Sequence, residues 1–260
     1  MRLLFNPGKS RTPVAHEPVH ADVPTLVDAE LAAVYNIQRR AGDFYDFIRV
    51  SPARVLFCLL DVAGRLLDNR AIVSAAQRTF RTLAVELFVP PDINEAEAMI
   101  ELCLELNRTI LKSEGGVRAC PAFAGCYNEH VGIVSYFNAG HTPGLVLDGK
   151  GVSRLEATGC PLGLFTHFTH DAAMVALQPG ARLLLVSRGL VEGKYKGEEF
   201  GLQRVADVLQ QTTSGGAQQL CLTVLERVEQ FARAPLTHDD ATALALVRFP
   251  TGVTPPRQSN

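Results

Sequence analysis

No apolar run in this chain approaches the roughly 18 residues that a membrane-crossing helix needs, so no membrane partner is expected. No cysteines have the Cys-x-x-Cys spacing of a zinc or redox site. Cys58, Cys103, Cys120, Cys126, Cys160 and Cys221 stand apart, most of them inside apolar runs. They read as buried reduced thiols, not as a disulfide framework or a zinc site. An excess of one charge is also missing: the net charge of -2 gives no electrostatic ground for a nucleic-acid partner. No internal repeat and no low-complexity block is found. The opening Met1-Arg2-Leu3-Leu4-Phe5 gives way at once to Asn6-Pro7-Gly8-Lys9. That is too short for the apolar part of a signal peptide, and a cytoplasmic location is the expectation.

What is there is ordinary for a globular protein: 260 residues, 47% hydrophobic and 20% charged. That length allows one large α/β domain or two small ones. Residues 1–22, rich in Pro, His and basic side chains, read as a loose arm, residues 251–260 as a tail, and residues 23–250 as the domain. Strands are expected at Glu30–Tyr35, Phe44–Val50 and Val55–Leu60, the last apolar throughout, as in a strand buried on both faces. Asp68-Asn69 reads as the cap of a helix to Phe88, and Asn94 with Glu97 as the cap of a second helix to Lys112. Gly115-Gly116 would end it. From Pro121 to Val186 short apolar stretches separated by Gly turns predict a series of strands. Two helices, near 200–210 and 215–232, and a strand over Thr242–Phe249 follow. Helix pairs of this length must cover apolar sheet faces. Two packed sheets with a helix pair outside each would satisfy that, although periodicity does not force this answer.

Acidic residues cluster at three distant strand ends: Gly42-Asp43-Phe44-Tyr45-Asp46, Asp61-Val62-Ala63-Gly64 and Asp239-Asp240-Ala241-Thr242. A strand end is rigid, and carboxylates converging from separate segments make a hard-oxygen site for Mg²⁺ or Mn²⁺. An acid ending the apolar strand at Asp61 is costly unless it is paired or ligating. A fourth strand end, Leu183 to Gly189, carries Arg188 instead of an acid. The chemistry of Lys194-Tyr195-Lys196 and of the nearby His167 and His170 reads most simply as that of solvated loops.

These segments, together with Asn138-Ala-Gly-His141-Thr-Pro, Gly159-Cys-Pro-Leu-Gly163, the Gln178-Pro179-Gly180 turn and Glu199-Phe200-Gly201, occur in the order and spacing of the SpoIIE/RsbU-type PP2C-like phosphatases. The chain resembles that family from about Leu26 to Phe249. The resemblance implies an α+β fold, a four-layer α-β-β-α sandwich, with up to two Mn²⁺ or Mg²⁺ ions in a cleft at one edge of the sheets. It implies hydrolysis of phosphoserine or phosphothreonine on a regulatory partner protein, such as an anti-sigma-factor antagonist. Carried over residue by residue, Asp61 would bridge the metals beside the Val62 carbonyl. Asp43 would sit near the metal-bound waters, Asp239 would be a ligand, and Asp46, Asp240 and Gly64 would support the site. Asn138 and His141 match a family motif to which a structural turn, not catalysis, is assigned.

Two departures from the family pattern matter. Ser187-Arg188-Gly189 stands where the family has Thr-Asp-Gly, whose Asp is a ligand, and Gly64-Arg65-Leu66 stands where it has a second glycine. A guanidinium keeps its proton and has no lone pair to offer a metal. One ion, or none, is then expected in place of two. Arg188 could pair with Asp61 or Asp239, grip a phosphate, or point into solvent. Two functions stay open: a phosphatase with an altered site, and a catalytically impaired relative that regulates by binding a partner.

Overall fold

The computed structural model describes residues 22–35, 42–62, 66–113, 119–167, 169–233 and 240–252, with only the backbone described at 66–68. The expected N-terminal arm, except Asp22, and most of the expected tail lie outside these residues, as do Gly64, Gly115, Gly116 and Asp239.

In chain order the elements are β1 (Ala29–Tyr35), β2 (Asp43–Arg49), β3 (Arg54–Asp61), α1 (Leu66–Phe88), α2 (Glu95–Lys112), β4 (Ala122–Asn128), β5 (Ile133–Ala139), β6 (Gly144–Asp148), β7 (Gly151–Leu155), β8 (Ala173–Ala176) and β9 (Arg182–Val186). They continue with α3 (Arg188–Val191), β10 (Lys194–Tyr195), β11 (Glu198–Glu199), α4 (Gly201–Gln211), α5 (Ala217–Ala232) and β12 (Thr242–Arg248). Two antiparallel five-stranded sheets form, ordered β2-β3-β4-β5-β8 and β1-β12-β9-β6-β7. A small β10–β11 hairpin stands beside them.

The alternation of side chains along each strand builds three apolar layers. In β3, Val55, Phe57 and Leu59 point into the space between the sheets. Leu56, Cys58 and Leu60 point outward, where α1 and α2 cover them. In β12, Leu244 and Leu246 join the layer between the sheets, while Ala243, Ala245 and Val247 lie under α4 and α5. The result is the expected helix–sheet–sheet–helix order. Gly125 of β4 lies under the Phe57 ring: a Cβ there would come within 2.5 Å of the ring tip, so the glycine lets the aromatic fill that layer. Five cysteines are buried, Cys160 is partly exposed, and none of the six forms a disulfide.

Asn94 caps α2 as expected, accepting from the Ala96 and Glu97 amides. The expected Asp68-Asn69 cap is corrected: α1 starts at Leu66, so both residues lie inside its first turn. Asn69 is buried and turns its amide back to donate to the Val62 carbonyl at 3.0 Å. That bond ties the helix start to the end of β3.

Candidate active site

Asp43 opens β2 and Asp61 closes β3, and antiparallel register sets the two directly opposite each other. Like charges in such a pair repel. Gly42 makes the approach possible. Its carbonyl accepts from the Val62 amide at 3.2 Å, and a Cβ on it would lie 2.1 Å from the Val62 oxygen. The Asp61 amide donates to the Pro121 carbonyl at 2.8 Å, which fixes the strand end.

The second sheet supplies the opposite wall. Ser187, just after β9, donates an amide to the Thr242 carbonyl at 2.9 Å. Its hydroxyl accepts from the Thr242 amide at 3.0 Å and donates to the Asp240 carbonyl at 3.2 Å. Asp240 in turn accepts from the Asp43 amide at 3.0 Å, linking the two sheets at their common edge. Asp43, Asp61 and Asp240 are thus brought together. Burial first, and then the Asp61 charge, push the Asp43 carboxyl well above the usual carboxylate range, although hydrogen bonds with Ser187 and Thr242 pull the other way. Its Oδ2 is buried without a hydrogen-bond partner among the described residues.

Arg188 begins α3 beside this pair. Its Nε lies 3.7 Å from Asp61 Oδ2 and 3.8 Å from Glu192 Oε1. This puts Arg188 near Asp61 with most of its side chain exposed; Asp239, the other acid named for it, lies outside the described residues.

Asp46 is corrected. Three residues along β2 from Asp43, it points to the other face of the sheet. There it is fully buried, held by Arg81 Nε at 2.7 Å and Nη2 at 2.8 Å, by Gln77 at 3.1 Å and by the Phe47 amide at 2.9 Å. Every one of these bonds is away from Asp43 and Asp61, so Asp46 anchors α1 and does not hydrogen-bond the cleft. Asn138 and His141 form a turn: the Asn138 side chain accepts from the His141 amide at 2.8 Å and donates to the Leu155 carbonyl at 3.2 Å. His141 Nδ1 faces the Thr142 carbonyl at 3.0 Å. Burial lowers the His141 pKa to about 4, so the ring is neutral at pH 7. Asp239 and Gly64 lie outside the described residues.

Sequence reasoning missed four contributors: Gly42, the hydroxyls of Ser187 and Thr242, and Asn69. Ser187 and Thr242 stand inside the quoted motifs, whose chemistry is carried there by the charged residues alone. Asn69 has the chemistry of a cap, since Asp and Asn favour caps, and nothing local marks its bond to Val62.

A family model for stage II sporulation protein E (SpoIIE) matches residues 51–249. The chain belongs to the SpoIIE family. It is 23% identical over 247 residues to Protein IcfG of Synechocystis, covering 87% of this chain and 39% of that protein. It is 24% identical over 165 residues to the phosphoserine phosphatase RsbP of Bacillus subtilis, covering 63% and 40%. The chain thus spans about two fifths of the length of these curated relatives. The solved RsbU and RsbW domains of Rv1364c from Mycobacterium tuberculosis superpose with a TM-score of 0.72 at 24% identity, covering 90% of this chain and 64% of that one. The catalytic domain of the serine/threonine phosphatase PstP, solved with two manganese ions, has a TM-score of 0.58 at 14% identity, covering 86% and 100%. This SpoIIE-family chain therefore has a PP2C-like phosphatase fold.

On the Asp43 side the described acids suit a divalent ion: the unpartnered Asp43 Oδ2, with Asp61 opposite and Asp240 adjacent, is a hard-oxygen set of the kind such ions take. On the Arg188 side the charge is already positive, and the Val62 carbonyl already accepts from Asn69. Among the described residues no group of three or more His, Cys, Asp or Glu side chains forms a ready cage. Among the described residues, which do not include Asp239, Arg188 puts a positive charge where a second ion would approach Asp61.

Proposed function

We propose that the protein is a phosphoprotein phosphatase that hydrolyses phosphoserine or phosphothreonine on a regulatory partner, with Mn²⁺ or Mg²⁺ as cofactor in an altered acidic cleft. The observation carrying this reading is the Asp43–Asp61 pair at the meeting edge of the two sheets, with its buried, unpartnered carboxylate oxygen. Two facing carboxylates held by backbone hydrogen bonds are stable together when a cation sits between them. A divalent ion there, held by Asp43, Asp61 and Asp240 with Asp239 as a further ligand, would supply an activated water and positive charge for phosphoryl oxygens. The likeness to the phosphoserine phosphatase RsbP and to the RsbU–RsbW chain supports a phosphorylated regulatory protein as partner, with an anti-sigma-factor antagonist as the expected kind.

A second reading is favoured by the Arg188–Asp61 contact: an impaired phosphatase that regulates by binding the phosphorylated partner. One experiment separates the two. Chelator-treated protein is titrated with Mn²⁺ by calorimetry, and phosphate release from an aryl phosphate and a phosphoserine peptide is followed on the same sample. Metal-dependent turnover that Asp61→Asn abolishes supports the phosphatase. Absence of turnover at saturating Mn²⁺ and Mg²⁺ rejects it in favour of the regulator, and turnover that survives in Asp61→Asn removes the proposed site.

A further inference from the structure

We infer that Arg188 is the phosphate-recognition residue of this cleft, its guanidinium edge receiving the phosphoryl oxygens of a phosphate monoester. The inference rests on the reading that the cleft takes a phosphorylated partner, but not on whether it hydrolyses it. Both carboxylate contacts of Arg188 use Nε, at 3.7 Å from Asp61 and 3.8 Å from Glu192. These distances exceed the 2.7–3.2 Å of an N–H···O hydrogen bond. The two acids therefore hold the charge in place without consuming its donors. A guanidinium carries five N–H donors. Among the described residues, no hydrogen bond uses either Nη group of Arg188.

An arginine that serves only structure looks different in this same protein. Arg81 closes a fork on Asp46, Arg54 donates to Glu95 and to three backbone carbonyls, and Arg248 bonds Asp28 and the Leu177 carbonyl. Arg188 is left 64% exposed with its outer edge unoccupied, while its inner edge touches the carboxylate that ends β3. A planar fork of two parallel N–H groups matches two oxygens of a phosphate. A residue at this point meets any phosphoryl group that approaches Asp61.

The charge balance narrows the ligand. Asp61 and Glu192 flank the guanidinium and Asp240 joins Asp43 opposite Asp61, so an anion is opposed unless a cation is supplied with it. A phosphate dianion would therefore bind best with Mg²⁺ present, the acids around Asp43 being the residues to hold that ion and Arg188 the one to meet the phosphoryl oxygens.

The test is calorimetry of inorganic phosphate with wild type, Arg188→Lys and Arg188→Ala at saturating Mg²⁺, repeated in chelator. Lysine keeps the charge, and so the ion stoichiometry, but loses the fork. The expected result is weakening of about tenfold for the Lys variant, equivalent to about 1.4 kcal/mol, and more for Ala. Because Arg188 is exposed, both variants fold, which circular dichroism checks. Phosphate affinities within twofold of one another in all three proteins overturn the inference, as does a wild type that binds no phosphate in either condition. Turnover alongside an Arg188-independent phosphate affinity sinks this inference and leaves the phosphatase standing. Arg188-dependent phosphate binding without turnover leaves the inference standing and removes the hydrolytic reading.

Discussion

Replacing Arg188 by Asp is the perturbation that tests the altered cation site most directly. The wild-type guanidinium lies 3.7 Å from Asp61. At an effective dielectric near 20, unit charges about 4 Å apart interact by about 4 kcal/mol, and a divalent ion in that place meets about 8 kcal/mol of repulsion. Arg188 is 64% exposed, and solvent screening removes most of that figure, as it does for exposed ion pairs in general. If a quarter survives, about 2 kcal/mol remains, which corresponds to about thirtyfold in Kd. Arg188→Asp removes this repulsion and adds a ligand oxygen. Calorimetric titration of chelator-treated protein with Mn²⁺ should then show a second ion in the variant, bound at least tenfold more tightly than any second ion in wild type. Arg188→Ala, which removes the repulsion without adding a ligand, should fall between them. Without metal, the variant sets a new carboxylate beside Asp61 and should melt at a lower temperature, with Mn²⁺ restoring more than the loss. Identical stoichiometry and affinity in wild type and Arg188→Asp would refute the placement of a repelling charge at the ion site.

Arg81→Ala should cost about 3 kcal/mol in urea unfolding, because it strands the buried Asp46 carboxylate; adding Asp46→Asn should recover part of that, and full additivity would contradict the coupling. Gly42→Ala should destabilise by 2 kcal/mol or more, since its Cβ would meet the Val62 oxygen at 2.1 Å, whereas Gly149→Ala, with nothing within 4 Å, should be nearly neutral. For His141 the native pKa of about 4 lies below the ordinary 6.5, so between these values the unfolded chain binds a proton that the folded chain does not. Its contribution is complete above pH 6.5 and is lost as pH falls toward 4, by about 3 kcal/mol in all at about 1.4 kcal/mol per pH unit. Comparing urea midpoints of wild type and His141→Gln across that range checks it: the difference between the two should narrow as pH falls.

The sandwich was legible because β3 is apolar at every position from Val55 to Leu60, which only burial on both faces explains. A second sheet on one side and helices on the other satisfies that pattern, although the pattern alone does not force it. What the sequence did not carry is which face each polar residue takes. Asp43 and Asp46 sit in one short motif and look alike as letters. Their odd spacing puts them on opposite faces of β2, one against Asp61 and the other against Arg81. Reading the motif as a block hid this, although the period of two was available. The start of α1 was misread for a related reason. Asp68-Asn69 has the composition of a cap, but Asn69 is held inside the helix by a bond to Val62, just past the end of β3, and local propensity contains no term for such a partner. The small elements α3, β10 and β11 also escaped, since two to four residues are too few to show a period.

These errors have a common physical form, and it bears on the cleft itself. The departures at Asp46 and Asn69 each concern a polar side chain whose partner comes from elsewhere in the chain, Arg81 and Val62; the bond from the Asp43 amide to the expected Asp240 is of the same long-range kind. The apolar code is local and periodic, so it survives in one dimension. The polar code is pairwise and long-range, so it is written in the fold. Arg188 belongs to the second kind. As a letter it only excludes a ligand. Placed 3.7 Å from Asp61 with its outer donors unused, it sets a fixed positive charge beside an acidic pair. A phosphorylated ligand would feel that charge first. This is why the substitution reads as a change in how the phosphate is held, and not only as the loss of a metal ligand.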